Sequence, residues 1–160
     1  MIRAAVFEDA AAIARLEVRA WQRAYADWAD PEQLATPDQR RARWATHLGE
    51  GGRTLVFEVG GTVAAFAAAG PGRDGDLDAG VGELMALHVD PTAQGAGVGG
   101  SLLTEAVDLL RRDGYAEAVL WVLAENEYVR RGCERRGWRL EEGVGRDTLW
   151  AHEVRYRRAL

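Results

Sequence analysis

Residues 88–103 read HVDPTAQGAGVGGSLL and place four glycines within six positions, shortly before two leucines. The apolar, strand-like run ELMALHV at residues 83–89 precedes the glycines, and a helical pattern follows them to residue 112. A second strand-like run occupies residues 116–124. This order predicts a β-α-β crossover with two parallel strands, in which the glycines lie at the N-terminus of the helix.

A glycine-rich helix N-terminus is typical of an anion-binding site. The helix end carries unpaired N–H groups and a partial positive charge, and glycine lets a bulky anion approach the backbone. The alternative is a flexible turn without a ligand. The whole chain is rich in glycine, with 19 glycines, and the turn would then simply share this composition. The nucleotide phosphate loop needs a lysine, and this sequence has none.

The dinucleotide-binding motif G-x-G-x-x-G is also present, at Gly95, Gly97 and Gly100. Residues 90–94 separate it from the strand, whereas the dinucleotide fold leads the strand almost directly into the first glycine. The chain after residue 124 is also too short for a doubly wound sheet. A small nucleotide-binding oxidoreductase domain is therefore kept only as an alternative.

The rest of the chain predicts a single mixed α/β domain over residues 1–160. Residues 53–59 and 62–70 predict a hairpin around Gly60 and Gly61. The other expected elements are a strand at 2–6, helices at 7–28, 37–48, 97–112 and 126–136, and a last pair of strands after residue 138.

Composition argues against several classes of protein. The net charge of −5 and a pI near 5.3 disfavour a nucleic-acid partner. No apolar run approaches the ~18 residues of a membrane span, and no signal peptide is indicated, so we expect no membrane partner and a cytoplasmic location. The lone Cys133 excludes an internal disulfide. Three histidines without ligand spacing lead us to expect no metal.

The segment LHVDPTAQGAGVGGSLL resembles the acetyl-CoA signature of the Gcn5-related N-acetyltransferase (GNAT) superfamily, a strand and V-x-P followed by Q/R-x-x-G-x-G/A opening a helix. NEYVRRGCERRGW, residues 126–138, resembles the second motif of that family and matches it at Asn126, Glu134, Gly137 and Trp138. The resemblance implies a GNAT-like fold: a central, mostly antiparallel sheet with one parallel β-α-β unit, flanked by helices. It implies an acyl-CoA-dependent N-acetyltransferase.

The resemblance also implies which residues bind acetyl-CoA. The backbone around the glycines would wrap the pyrophosphate, and the end of the preceding strand would pair with the pantetheine arm like an added strand. Asn126 would bond the arm from the other side, cap the following helix, or do both. The pyrophosphate residues are Gln94, Gly95, Ala96, Gly97, Val98, Gly99, Gly100 and Ser101, and the pantetheine residues are Leu87, His88 and Val89.

Two residues are candidates for the chemistry. Glu83 opens the apolar run, where the family often places a carboxylate that takes the proton of the amine. A strand-end glutamate, or one in a salt bridge to arginine, is the alternative. Cys133 occupies the position of a tyrosine that the family frequently uses as general acid, although a small buried side chain is the alternative. A non-catalytic acyl-CoA sensor on the same fold therefore stays open.

The acceptor is expected to be a primary amine of a small molecule or a peptide. Trp21, Tyr25 and Trp28 would offer aromatic faces to an ammonium group, and three aspartates at 74, 76 and 78 would attract it. Ordinary core aromatics and a solvated Gly-Asp loop are the alternatives. A homodimer is a further possibility.

Overall fold

The computed structural model describes residues 1–27 and 34–160. Within these ranges the chain forms seven strands and four α-helices. The strands are β1 (Ile2–Ala4), β2 (Arg53–Val59), β3 (Thr62–Pro71), β4 (Val81–Val89), β5 (Glu117–Leu123), β6 (Arg139–Asp147) and β7 (His152–Ala159). The helices are α1 (Ala10–Ala24), α2 (Pro37–Gly49), α3 (Val98–Arg112) and α4 (Glu127–Glu134).

The strands form one sheet in the order β1-β2-β3-β4-β5-β7-β6. Strands β4 and β5 are parallel, and α3 connects them, so the predicted β-α-β crossover is confirmed. The pairs β1–β2, β5–β7 and β6–β7 are antiparallel. Strand β4 begins two residues earlier than predicted, because the N–H of Gly72 donates to the carbonyl of Val81 at 2.9 Å and extends the pairing.

Contacts divide the chain into two compact units, each described by itself. Unit 1 comprises Met1–Ala68 and Ala86–Ala106, and unit 2 comprises Ala69–Met85 and Val107–Leu160. A single domain over residues 1–160 stays a prediction. No helix in the described ranges is long and apolar enough to cross a membrane.

In unit 1, helices α1 and α2 are joined by a buried carboxylate. Ile13 and Leu16 face the core of the unit, and the next residue, Glu17, is only 3% exposed. Both Nε and Nη2 of Arg40 donate to the Glu17 carboxylate at 2.8 Å, and the Trp44 indole N–H donates to it at 2.8 Å. Three donors from α2 therefore compensate one buried charge on α1.

In unit 2, the sheet has two chemically different faces. Residues directly opposite each other on paired strands share a face, so Glu83, Val119 and Arg157 form one row across β4, β5 and β7. Trp121 and Arg155 form the next row on the same face. Glu117 of β5 and Glu141 of β6 lie on this side too, and their carboxylates bind Arg157. We call this side the polar face of unit 2.

The opposite face of unit 2 packs against helices. A Cβ at Gly82 would lie 2.8 Å from Cδ2 of Leu110, so glycine lets α3 approach β4 closely. The Tyr156 hydroxyl donates to Glu134 of α4 at 2.8 Å and accepts from Nε of Arg130 at 3.0 Å. The edge strand β6 is irregular, because its register against β7 shifts between residues 140 and 145.

We expect Glu17→Ala to lower the free energy of unfolding by about 3–5 kcal/mol, because it leaves the Arg40 charge without its buried partner. Urea denaturation measures this loss. Glu8→Ala removes an exposed carboxylate and is the control, with an expected change of about 0.5 kcal/mol or less. Equal losses in the two variants would show that the buried pair does not join α1 to α2.

Candidate functional site

The turn after β4 is held in place by side chains of unit 1. The N–H of Asp90 donates to the carbonyl of Ala64 at 2.8 Å. The Asp90 carboxylate accepts from the N–H and the hydroxyl of Thr92, and it forms an ion pair with Arg19 at 2.6 Å. These bonds to Thr92 and Arg19 hold the pKa of Asp90 below its usual value. The carboxylate therefore stays ionised and anchors the turn near neutral pH.

Two of the four glycines are needed for their backbone conformation. Gly95 and Gly97 have φ values of 84° and 77°, a region that residues with a Cβ adopt at a cost. A Cβ at Gly99 would lie 3.4 Å from Cγ2 of Val89, an ordinary van der Waals distance, so α3 begins in contact with the end of β4. The glycines therefore turn the chain sharply and start α3 directly against the end of β4.

The start of α3 presents backbone donors. The N–H of Ser101 donates to the carbonyl of Gly97 at 3.0 Å, and the Ser101 hydroxyl bonds the same carbonyl at 3.2 Å. Helix geometry leaves the amides of residues 98–100, which precede that bond, directed out of the helix end. Together with the partial positive charge of the helix, these amides can bind an anion. The predicted pyrophosphate residues 94–101 thus form one continuous cradle in unit 1.

The predicted pantetheine residues lie at the adjoining end of β4. Leu87 and Val89 face α3, because both lie within 4 Å of a Cβ at Gly99. The His88 ring contacts the Phe66 ring, with centroids 5.4 Å apart. Burial lowers the pKa of His88, so this side chain is neutral at pH 7. Pairing of pantetheine with the backbone of residues 87–89 stays a prediction.

Asn126 caps α4 in unit 2. Its side-chain oxygen accepts from the N–H of Val129 at 3.2 Å, which confirms the capping interpretation. Whether Asn126 also bonds pantetheine stays a prediction.

Glu83 lies on the polar face of unit 2 and is only 1% exposed. The Arg73 side chain donates to its carboxylate through Nε at 3.0 Å and through Nη2 at 2.7 Å. The backbone N–H of Arg73 adds a third bond at 3.0 Å. The salt bridge to arginine that the sequence left open is therefore present. The bonds to Glu83 raise the pKa of the Arg73 guanidinium.

Cys133 lies on α4 and is 4% exposed. Burial raises the pKa of its thiol to about 11. A thiol with so high a pKa is a weak acid, and this favours the interpretation of Cys133 as a packing residue. Its role as general acid stays a prediction without support from its surroundings.

The aromatic residues predicted for the acceptor are only partly described. The Arg40 guanidinium lies 4.7 Å from the centre of the Trp21 ring, so a cation of the chain itself already occupies one ring face. Tyr25 follows α1, and its N–H donates to the carbonyl of Trp21 at 2.9 Å. Trp28 lies outside the described residues. Acceptor binding by these side chains stays a prediction.

The acidic loop between β3 and β4, residues 72–80, is bound by an arginine that the sequence analysis missed. Arg155 of β7 is 2% exposed and donates to Asp74 at 3.0 Å and to Asp76 at 2.6 Å. These bonds hold the pKa of Asp76 at about 2. The indole of Trp121 also donates to Asp74, at 2.9 Å. Much of the negative charge expected to attract an ammonium is therefore balanced within unit 2.

A signal for this cluster is present in the sequence. Strand periodicity places residues 153, 155 and 157 on one face of β7, where they read Glu, Arg and Arg. That pattern indicates a charged face, but it does not name the loop that covers it.

The described residues hold no group of three or more His, Cys, Asp or Glu side chains that could bind a metal ion. The cradle lies in unit 1 and the polar face in unit 2.

The sequence model of the acetyltransferase (GNAT) family matches residues 11–138. The mycothiol acetyltransferase of Beutenbergia cavernae is 43% identical over 61 residues. That segment is 38% of this chain and 20% of the length of that protein, so the chain corresponds to about a fifth of that relative.

Solved structures share the fold along the whole chain. A ribosomal-protein-alanine N-acetyltransferase from Brucella melitensis matches with a TM-score of 0.82 over 100% of this chain and 99% of the other, at 22% identity. YncA of Salmonella typhimurium, solved with its cofactor acetyl-CoA, matches with a TM-score of 0.80 at 26% identity, over 100% of this chain and 93% of the other.

We expect Cys133 to react slowly with iodoacetamide at pH 8 in the folded protein, because the thiol is buried and its pKa is about 11. Mass spectrometry of the modified protein measures the rate. The same protein in denaturant is the control and should react about tenfold faster or more. Equal rates would indicate an exposed, ordinary thiol and would restore Cys133 as a candidate acid.

Proposed function

The chain belongs to the acetyltransferase (GNAT) family, and we propose that it transfers an acetyl group from acetyl-CoA to a primary amine of a small molecule or a peptide. The observation that carries the proposal is the cradle at residues 94–101, in which glycines with positive φ precede a helix whose first amides point outward. A diphosphate is the kind of ligand that such a helix end binds.

Two parts of acetyl-CoA have proposed partners in the chain. Backbone amides of residues 94–101 hold the pyrophosphate, and the backbone of residues 87–89 pairs with pantetheine in the manner of an added strand. Gln94 supports this turn, because its side-chain amide donates to the carbonyl of Val89 at 3.4 Å. Since the donors are mainly backbone groups, the proposed site depends on chain geometry more than on charged side chains.

The chemistry asks little of the protein beyond alignment and proton removal. A primary amine reaches the site as an ammonium ion and must lose a proton before it attacks the thioester carbon. Glu83 is the proposed proton acceptor, because it is a buried carboxylate in the position that the family resemblance indicates. No protein acid is proposed for the thiolate, given the high pKa of Cys133.

A second candidate function is an acyl-CoA-binding module without catalysis. Two observations favour it: Cys133 replaces the tyrosine of the family motif, and Arg73 occupies the Glu83 carboxylate. Cofactor binding without turnover would distinguish this function from acetyl transfer.

Release of free thiol from acetyl-CoA tests the proposal. The acceptors are a panel of aliphatic diamines, amino acids, aminoglycosides and peptides with free N-termini. We expect thermal stabilisation by acetyl-CoA and by CoA but not by NAD, and amine-dependent thiol release with at least one class. Stabilisation without release across the panel would support the binding module, and no stabilisation would contradict both functions.

We expect Gly97→Asp to weaken acetyl-CoA binding by about a hundredfold or more, because it adds a like charge at the proposed pyrophosphate site and strains a residue with φ of 77°. Isothermal titration measures the affinity. Gly114→Asp is the matched control, since Gly114 has φ of 92° and lies beyond the opposite end of α3. Equal affinities in the two variants would contradict anion binding at this helix end.

A further inference from the structure

The Glu83 carboxylate is almost completely occupied by one residue. A carboxylate offers about four acceptor positions. The backbone N–H and Nε of Arg73 both bond Oε2, and Nη2 bonds Oε1. In the structure, the proposed proton acceptor is therefore already paired with the Arg73 guanidinium. This cation occupies the position that an ammonium ion would need.

Two arginines attach the β3–β4 loop to the polar face, and they differ in exposure. Arg155 is 2% exposed and bonds Asp74, Asp76 and Glu141. Arg73 bonds a single carboxylate, and its side chain is 55% exposed. The first attachment is enclosed by protein, whereas the second has solvent beside it into which a long side chain can move.

Few other charged groups of unit 2 face Glu83. Opposite it on β5 lies Val119, and the next residue in that row is Arg157, which is bound by Glu117 and Glu141. Strand β3, the neighbour of β4 on its other side, reads TVAAFAAAGP and carries no charged residue. From the loop come Arg73 and then Asp74, which is bound by Arg155. The only cation bonded to the Glu83 carboxylate among the described residues is therefore Arg73.

We propose that Arg73 holds the place of the acceptor's ammonium group on Glu83, and that the acceptor displaces it when it binds. The inference rests on the proposed function. A buried carboxylate without a partner is costly, so Arg73 leaves only when another cation replaces it. An ammonium group is compact and has rotatable donors, so it can take over the two side-chain bonds while the backbone N–H of Arg73 keeps the third.

The exchange completes the proton balance of acetyl transfer. The ammonium gives one proton to Glu83 and becomes a neutral amine. The nitrogen lone pair forms the bond to the thioester carbon, the C–S bond breaks, and the second N–H proton leaves with the sulfur as CoA–SH. When the product has left, the proton on Glu83 passes to water and Arg73 returns to the carboxylate. Arg73 is thus a positioning residue that acts through Glu83.

Arg73→Met tests the exchange with the amine that gives the highest kcat/KM in the panel. KM and kcat are measured separately, because displacement of Arg73 changes binding of the amine and not the steps that follow binding. We expect kcat to stay within about twofold of the wild-type value, since Arg73 has left the carboxylate in the complex. KM for the amine should fall about threefold or more.

Control variants separate this result from general damage. Arg111→Met removes an arginine of similar exposure, 48%, that pairs with Asp108, and both KM and kcat should match those of the wild type. Glu83→Gln removes the proposed proton acceptor and should lower kcat about a hundredfold or more. Arg73→Lys keeps a cation but loses the fork, so its KM should lie between those of the wild type and Arg73→Met. The lysine variant also tests the exchange if the methionine variant does not fold.

Each other outcome overturns the inference. If kcat changes together with KM in Arg73→Met, Arg73 stays on Glu83 during turnover. If neither KM nor kcat changes, the pair serves only to hold the loop.

A measurement without turnover separates this inference from the proposed function. The ¹³C resonance of the Glu83 carboxyl group, assigned by comparison with Glu83→Gln, is followed while ethylammonium chloride is added. We expect a response in the wild type, and one at about threefold lower concentration in Arg73→Met. No thiol release with this response intact would contradict the function alone. The absence of a response in both proteins would contradict the exchange.

Discussion

The parallel pairing of β4 with β5 is the constraint on which the candidate site depends. Val81 lies opposite Glu117 and Leu84 opposite Leu120, so both strands run in the same direction and the chain must return along a crossover. The crossover is α3, whose N-terminus follows the carboxyl end of β4 through a short turn. Backbone donors are thereby concentrated at the end of a buried strand. Gly95 and Gly97 meet the demands of this turn through their positive φ angles.

The parts of the fold and site that are local in sequence could be predicted from it. The crossover, the hairpin and the cradle depend on neighbouring residues, and the capping role of Asn126 depends on a residue three positions away. The partners of the charged residues in the β3–β4 loop could not be predicted in this way. Arg155 lies 81 positions from Asp74, and strand periodicity cannot show which distant segment covers a charged face. The sequence therefore indicated the acidic loop correctly as a feature but not the arginine that balances it. For Glu83, a salt bridge to arginine was foreseen, while the identity of Arg73 required the structure.

Both units use arginine to hold a buried or nearly buried carboxylate. In unit 1 the fork of Arg40 meets Glu17, and in unit 2 the fork of Arg73 meets Glu83. The chain contains no lysine, and a planar guanidinium suits these two-point contacts better than an ammonium group does. Such pairs add little net stability compared with apolar packing, but they are costly to break. They therefore determine which segments lie together more than how strongly the whole chain is folded.

The irregular pairing of β6 has a consequence for how the protein meets other strands. β1 and β6 are the two outermost strands of the sheet, where unpaired backbone groups can recruit a strand from another molecule. β1 is only three residues long, which offers little to pair with. β6 is nine residues long, but its bulge and its exposed charges, among them Arg139, Glu142 and Arg146, interrupt a flat template. The short length of β1 and the irregular register of β6 both limit pairing with a strand of another molecule, so they disfavour extended β aggregates.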